Sequence, residues 1–302
     1  MMDPTLHHVS CADASGSHRM AYWQWGDPDA AHTVLCAHGL SRQGRDFDVL
    51  AQALVHRAGG ALRVVCPDVV GRGQSDWLKD PQGYQIPQYA ADMLALLGHL
   101  KPQTLDWVGT SMGGLIGLGV CAHAPSIGLQ VRRLVLNDVG PVIQWPALVR
   151  IGAYLGKAMH FPSLQAAADG LWSISSSFGP HTPEQWLALC RSMVKPAPQG
   201  QPGVVLHYDP AIAVPIAAMT PEAAAQGEAM VWQLYDGLRN ETLLLRGADS
   251  DLLSRETALA MTQRGPCARL VEFAGVGHAP TLVATDQVAV VTDFLLGAAG
   301  SA

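Results

Sequence analysis

Charged side chains are scarce in this 302-residue chain, 15 % against roughly 25 % in an average soluble protein, and 19 basic against 25 acidic residues leave a net charge of −6. Clusters of lysine and arginine are missing beyond pairs such as Arg132 and Arg133, which excludes a surface built to neutralise nucleic-acid phosphates. The six cysteines stand singly at 11, 36, 66, 121, 190 and 267, with no C-x-x-C to suggest a disulfide frame or a zinc site, so a reducing compartment fits. The N-terminal residues have neither the positive charge nor the apolar stretch of a secretory leader, and the expected location is cytoplasmic. The stretch from Trp107 to Val131 holds no charged residue, but glycines and Thr110, Ser111, His123, Pro125 and Ser126 interrupt it, so no membrane span is expected. P-loop, H-E-x-x-H and dinucleotide signatures are absent as well, and neither a metal nor an organic cofactor is expected.

What the chain does have is apolar bulk, 49 % of its residues, enough for one large domain or a domain carrying an insertion. Short β-rich runs at Thr33–Ala37, Arg63–Cys66, Thr104–Val108 and Arg133–Leu136 alternate with helical patterns at Phe47–Arg57, Gln88–Leu100 and Met112–His123. Such alternation predicts an α/β fold with a mostly parallel central sheet and helices on both faces. From Gly140 to Asp236 the pattern becomes helix after helix, with Thr182-Pro-Glu-Gln185 a capping-box start, before strands resume at Thr242–Arg246 and Arg269–Phe273 and a last helix at Asp286–Leu296. A core of residues 1–139 and 237–302 interrupted by a helical insertion at 140–236 is the expected organisation.

Gly109-Thr-Ser111-Met-Gly113 matches G-x-S-x-G and stands directly after a predicted strand and directly before a predicted helix. A strand-to-helix turn that sharp leaves no room for side chains at the two glycines and pushes the serine outward at the carboxyl edge of the sheet. It also aims the Met112 backbone N–H, at a helix N-terminus, toward an oxyanion formed beside Ser111. His38-Gly39-Leu40 follows the Thr33–Ala37 strand, where the Leu40 N–H is a candidate second donor, with His38 and Gly39 shaping the loop. Asp68-Val-Val-Gly71-Arg-Gly73-Gln-Ser75 lacks the lysine of a phosphate cradle and is read as a structural turn, with Arg72 facing the site. Gly275-Val-Gly277-His278 places an imidazole just after a strand, where it can take the serine proton and return it to a leaving group. An acid must hold that imidazole in one tautomer, and Asp249, Asp251 and Asp138 all follow strands that end on the same edge.

Together these residues resemble the α/β-hydrolase family over nearly the whole chain: the HG loop, the D-x-x-G-x-G-x-S turn, the serine elbow, the helical insertion as a cap, and the late G-x-G-H. The resemblance implies acyl transfer to water, since dehalogenases and epoxide hydrolases of that family carry aspartate at the elbow. It implies a Ser111–His278 pair and a small-molecule ester as partner, with lactone, thioester or carbon–carbon bond hydrolysis as alternatives, or a ligand receptor on the same fold. Oligomeric state is not legible. In relatives the acid usually falls three residues past the glycine closing the penultimate strand, which here is Ser250; Asp251, 27 residues before His278, and Asp138 are the leading substitutes. Aromatic residues of the insertion, Trp145 and Trp172 among them, Tyr208 in its irregular part, and His38 and Gly39 of the HG loop are the expected substrate contacts.

Overall fold

Strand β3 (His32–Ala37) shows why this sheet is covered on two sides. Val34 and Cys36 enter one apolar layer, Leu35 and Ala37 the other, and all four are fully buried. Apolar residues at both phases of a period-2 alternation are what a strand between two helical layers requires. In the computed structural model, which describes residues 3–198 and 200–297, β3 joins seven further strands. These are β1 (Thr5–Asp13), β2 (Gly16–Gly26), β4 (Arg63–Pro67), β5 (Thr104–Thr110), β6 (Val131–Asn137), β10 (Glu241–Gly247) and β11 (Arg269–Phe273). The order across the sheet is β1-β2-β4-β3-β5-β6-β10-β11. The β1–β2 and β2–β4 pairs are antiparallel, and every pair from β4 to β11 is parallel.

Helices α1 (Asp48–Arg57) and α10 (Thr285–Leu296) close the Val34 side, and α2 (Ile86–Leu100) and α3 (Met112–His123) the Leu35 side. The charge-free run beginning at Trp107 is the innermost strand and its helix, with Trp107, Ile116 and Val120 fully buried. No helix among the described residues is long and apolar enough to cross a membrane. The β1–β2 hairpin is an element the periodicity did not reveal. Of β1 only Cys11 is buried, so its alternation carries almost no hydrophobic signal. The first two and last five residues of the expected core lie outside the described residues.

Between β6 and β10 come α4 (Trp145–Tyr154), α5 (Leu164–Ser175), α6 (Pro183–Met193), α7 (Ala213–Ala217) and α8 (Pro221–Gly237). The capping box at Thr182 closes in both directions, its hydroxyl accepting the Gln185 N–H at 3.2 Å and the Gln185 side chain accepting the Thr182 N–H at 2.9 Å. The insertion is not purely helical. β7 (His160–Phe161), β9 (Val204–Leu206) and β8 (Val194–Pro196) form a small antiparallel sheet, built where Val194, Val204 and Val205 favour extended backbone over helix. α8 packs on α3, with Tyr235 fully buried and its hydroxyl donating to the Met261 carbonyl at 2.6 Å, so this helix is part of the core's wall. The rest of the insertion is stitched to the loop after β4: the Asp209 N–H donates to the Gly71 carbonyl at 2.7 Å and the Gly73 N–H to the His207 carbonyl at 3.0 Å.

Candidate active site

In the order β4-β3-β5 the chain runs one way from β3 to β4 and the other way from β5 to β6. The loops leaving β3 and β5 therefore part and open a crevice at the carboxyl edge. Ser111 closes β5 in that crevice and Gly39-Leu40 follows β3 beside it. Ser111 has φ 51° and ψ −118°, a conformation a side-chain-bearing residue holds only when its surroundings impose it. The surroundings do so through backbone contact. A Cβ on Gly113 would lie 2.0 Å from the Ala37 carbonyl oxygen, and one on Gly109 would lie 2.3 Å from that of Gly113, so both flanking positions must be glycine for α3 to pack on β3 and β5. The Ser111 N–H donates to the Asn137 carbonyl at 2.9 Å and locks the turn to β6.

His278, in the loop after β11, stands between a hydroxyl and a carboxylate. Its Nε2 is 2.9 Å from Ser111 Oγ and its Nδ1 is 2.7 Å from Asp138 Oδ2. A carboxylate only accepts, so Nδ1 carries the proton and Nε2 faces the Ser111 hydroxyl with its lone pair. Asp138 is completely buried, and its positive φ of 56° is one an aspartate tolerates better than most residues. Its Oδ1 accepts the Gly247 N–H at 2.8 Å, while Oδ2 also accepts the Ser250 hydroxyl at 2.6 Å. Ser250 therefore feeds a hydrogen bond to a carboxylate arriving from the neighbouring strand.

Asp251, the leading expectation for the acid, is not brought to His278. It is 49 % exposed and forms a two-pronged pair with Arg150, at 2.8 Å to Nε and 3.0 Å to Nη2. The register of β6 beside β10 sets this, placing Asn137 level with Leu245 so that Asp138, at the end of β6, meets the turn that follows β10. Asp249 is exposed, with its N–H on the Val276 carbonyl. His38 is wholly buried: Nδ1 donates to the Gly39 carbonyl at 2.7 Å and Nε2 accepts the Val69 N–H at 2.9 Å. Burial pushes it down to about 3, so it is a neutral brace between two loops and not a wall of the Ser111 crevice.

The Asp68 turn is a brace too. Its buried carboxylate accepts the N–H groups of Gly44 and Gln74 at 2.8 and 2.9 Å, and burial lifts it to about 6. Arg72 is fully buried, and no carboxylate contacts it among the described residues. Its Nε donates to the Leu40 carbonyl at 2.8 Å, its Nη1 to the Val70 carbonyl at 2.7 Å and the Tyr89 hydroxyl at 3.0 Å, and its guanidinium lies 4.9 Å from the Tyr89 ring centre. It thus clamps the Leu40 peptide from beneath.

Ser111 stands at the junction of two cavities of about 100 and 480 Å³. Tyr208 lines the smaller one. Trp172 lines neither: it is exposed and meets Trp186 edge to face, with ring centres 5.1 Å apart. Trp145, which opens α4, lines neither as well. The cavities thus do not bring in either expected contact, and Trp172 instead packs on a neighbouring ring of the insertion. Arg42 and Arg150, by contrast, line the smaller cavity, and no motif marked them.

A serine held outward at a switch point, facing an imidazole backed by a carboxylate, defines a hydrolase of the α/β class, and comparison with known proteins agrees. The alpha/beta hydrolase family model matches residues 34–291, and the chain belongs to that family. It is 49 % identical to a 3-hydroxybutyrate-oligomer hydrolase of Cupriavidus necator over 98 % of this chain and 99 % of that one. It is 27 % identical to a 2-hydroxy-6-oxo-2,4-heptadienoate hydrolase of Pseudomonas putida, over 83 % and 84 % of the two. A crystal structure of an alpha/beta hydrolase from Novosphingobium aromaticivorans superposes with TM-score 0.81 at 33 % identity, covering 98 % of this chain and 99 % of the other.

Proposed function

We propose that this protein hydrolyses carboxylic esters through Ser111 as nucleophile, His278 as general base and then acid, and Asp138 as the carboxylate that orients the imidazole. Ser111 Oγ attacks the carbonyl carbon as His278 Nε2 takes its proton. The backbone N–H groups of Leu40 and Met112 receive the oxyanion, and His278 returns the proton to the departing alkoxide. Water then repeats the sequence on the acyl-enzyme. The observation that carries this reading is the imidazole of His278 spanning 2.9 Å to Ser111 Oγ and 2.7 Å to Asp138 Oδ2, with no rearrangement needed. Asp138 is mainly an orienting group, Arg72 a positioning group for the Leu40 peptide, and the insertion between β6 and α8 acts as a cap over the crevice.

Support for a substrate class comes from the 49 % identical relative, a 3-hydroxybutyrate-oligomer hydrolase, and from the two cavities that meet at Ser111. Esters of short hydroxy acids are the assigned substrates. Ser111→Ala tests the mechanism: kcat on p-nitrophenyl butyrate falls by several orders of magnitude with the melting temperature unchanged. Undiminished turnover in that variant ends the serine mechanism.

A further inference from the structure

The two cavities that meet at Ser111 differ in which catalytic groups they contain. Ser111 and Leu40 belong to both, Met112 only to the larger, and His278 only to the smaller. In acyl transfer the departing oxygen must take its proton from the imidazole, so the leaving alcohol lies on the His278 side. The acyl chain is then directed past Met112 into the larger cavity, whose walls are mostly aliphatic, with Leu115, Val139, Ile143, Ile216 and Leu252 beside Tyr84, Tyr89 and Gln85.

The smaller cavity carries a guanidinium. Arg42 spends Nε and Nη2 on the carboxylate of Asp46, at 2.5 and 2.8 Å, while Nη1, among the described residues, meets only the thioether sulfur of Met193. A thioether is a weak acceptor, so a nearly buried charged nitrogen retains its capacity for a stronger one. Arg42 and Ser111 line this cavity together, and Gly39 stands beside both: a methyl on it would lie 3.7 Å from Arg42 Cγ and 3.8 Å from Ser111 Cβ. Arg150, held by Asp251, adds a second cation in the same walls.

We infer that the smaller cavity is a subsite for a leaving alcohol that bears its own free carboxylate, anchored by Arg42 Nη1. On this assignment, which rests on the ester-hydrolase reading above, the enzyme cuts an oligo-hydroxyacid at the ester bond nearest its free carboxyl end. The Ser111 Oγ–acyl bond forms as the ester C–O bond breaks, and the departing hydroxy acid takes its hydroxyl proton from His278. The remainder of the oligomer occupies the aliphatic cavity and leaves after attack by water.

The test compares linear 3-hydroxybutyrate trimer as the free acid with its methyl ester. Wild-type protein is expected to show a kcat/KM about tenfold or more higher for the free acid, carried mainly by KM, with free monomer as the first product. Arg42→Met, and the charge-balanced Arg42→Met/Asp46→Asn pair that does not strand a buried carboxylate, are expected to bring that ratio close to one. Equal turnover of acid and methyl ester by wild type overturns the assignment, as does a ratio that survives both variants. Failure of wild type to hydrolyse even p-nitrophenyl butyrate refutes the ester-hydrolase reading itself; a cleaved chromogenic ester with no preference for the free acid refutes only the subsite.

Discussion

Exchanging Asp138 for asparagine probes the assignment of the acid through a single atom. Oδ1 accepts the Gly247 N–H at 2.8 Å, whereas Oδ2 accepts from His278 Nδ1 at 2.7 Å and from the Ser250 hydroxyl at 2.6 Å. An amide offers one acceptor and one donor in the same space. The Gly247 N–H belongs to rigid backbone at the end of β10, so the amide oxygen stays there and the NH₂ turns toward His278. Two N–H groups cannot face each other in a buried site, and the imidazole responds by moving its proton to Nε2. The lone pair that should receive the serine proton is then lost while the fold is preserved. Loss of the equivalent tautomer control in a serine protease triad lowers kcat about 10⁴-fold, or about 5.5 kcal/mol of transition-state stabilisation. The same exchange at Asp251 breaks only a half-exposed ion pair, worth at most about 1 kcal/mol, and should leave kcat within about threefold. Steady-state hydrolysis of p-nitrophenyl butyrate by both variants, with melting curves alongside, decides the matter. A large loss in Asp251→Asn with Asp138→Asn retaining a tenth or more of wild-type kcat would refute the reasoning.

Arg72→Met strips donors from three buried acceptors, the carbonyls of Leu40 and Val70 and the Tyr89 hydroxyl; at about 1 kcal/mol or more each, a loss of roughly 2–4 kcal/mol in urea unfolding is expected, together with lower kcat as the Leu40 peptide loosens. No change in either quantity would remove Arg72 from its positioning role. Filling the larger cavity with Leu115→Trp should shift the preferred acyl chain of p-nitrophenyl esters toward acetate and propionate; an unaltered chain-length profile would show that acyl groups go elsewhere. His18 is flanked by Asp13 at 2.9 Å and Asp92 at 3.1 Å. Burial alone would lower its pKa, but hydrogen bonds to Asp92, Cys11 and Asp13 outweigh it and raise the group to about 10. A pKa higher in the folded than in the unfolded state contributes stability that is complete below about pH 6.5 and disappears as pH climbs through about 10. The stability gap between wild type and His18→Gln should therefore be widest at pH 6 and shrink by pH 10, and a gap that grows with pH contradicts it.

The alternation of β3, the glycines around Ser111 and the loop position of His278 were all legible in the residues themselves. Each rests on forces acting within a few positions: side-chain alternation along a strand, the steric limit at a tight turn, the capping of a helix at Thr182. Fold class and the serine–histidine pair were accessible for that reason. The β1–β2 hairpin was not, because its outer strand buries a single residue and so leaves no pattern to read. The roles of Trp145 and Trp172 were hidden by a related ambiguity, since an aromatic on an amphipathic helix looks the same whether it meets a ligand or, like Trp172, a neighbouring ring. The carboxylate that meets His278 lay further out of reach. Spacing along the chain favoured Asp251, but the choice among carboxylates at one sheet edge depends on how β6 and β10 lie side by side. That register joins Asp138 to Gly247 across 109 residues, and it is set by the packing of two helical layers against the whole sheet rather than by any short run of sequence.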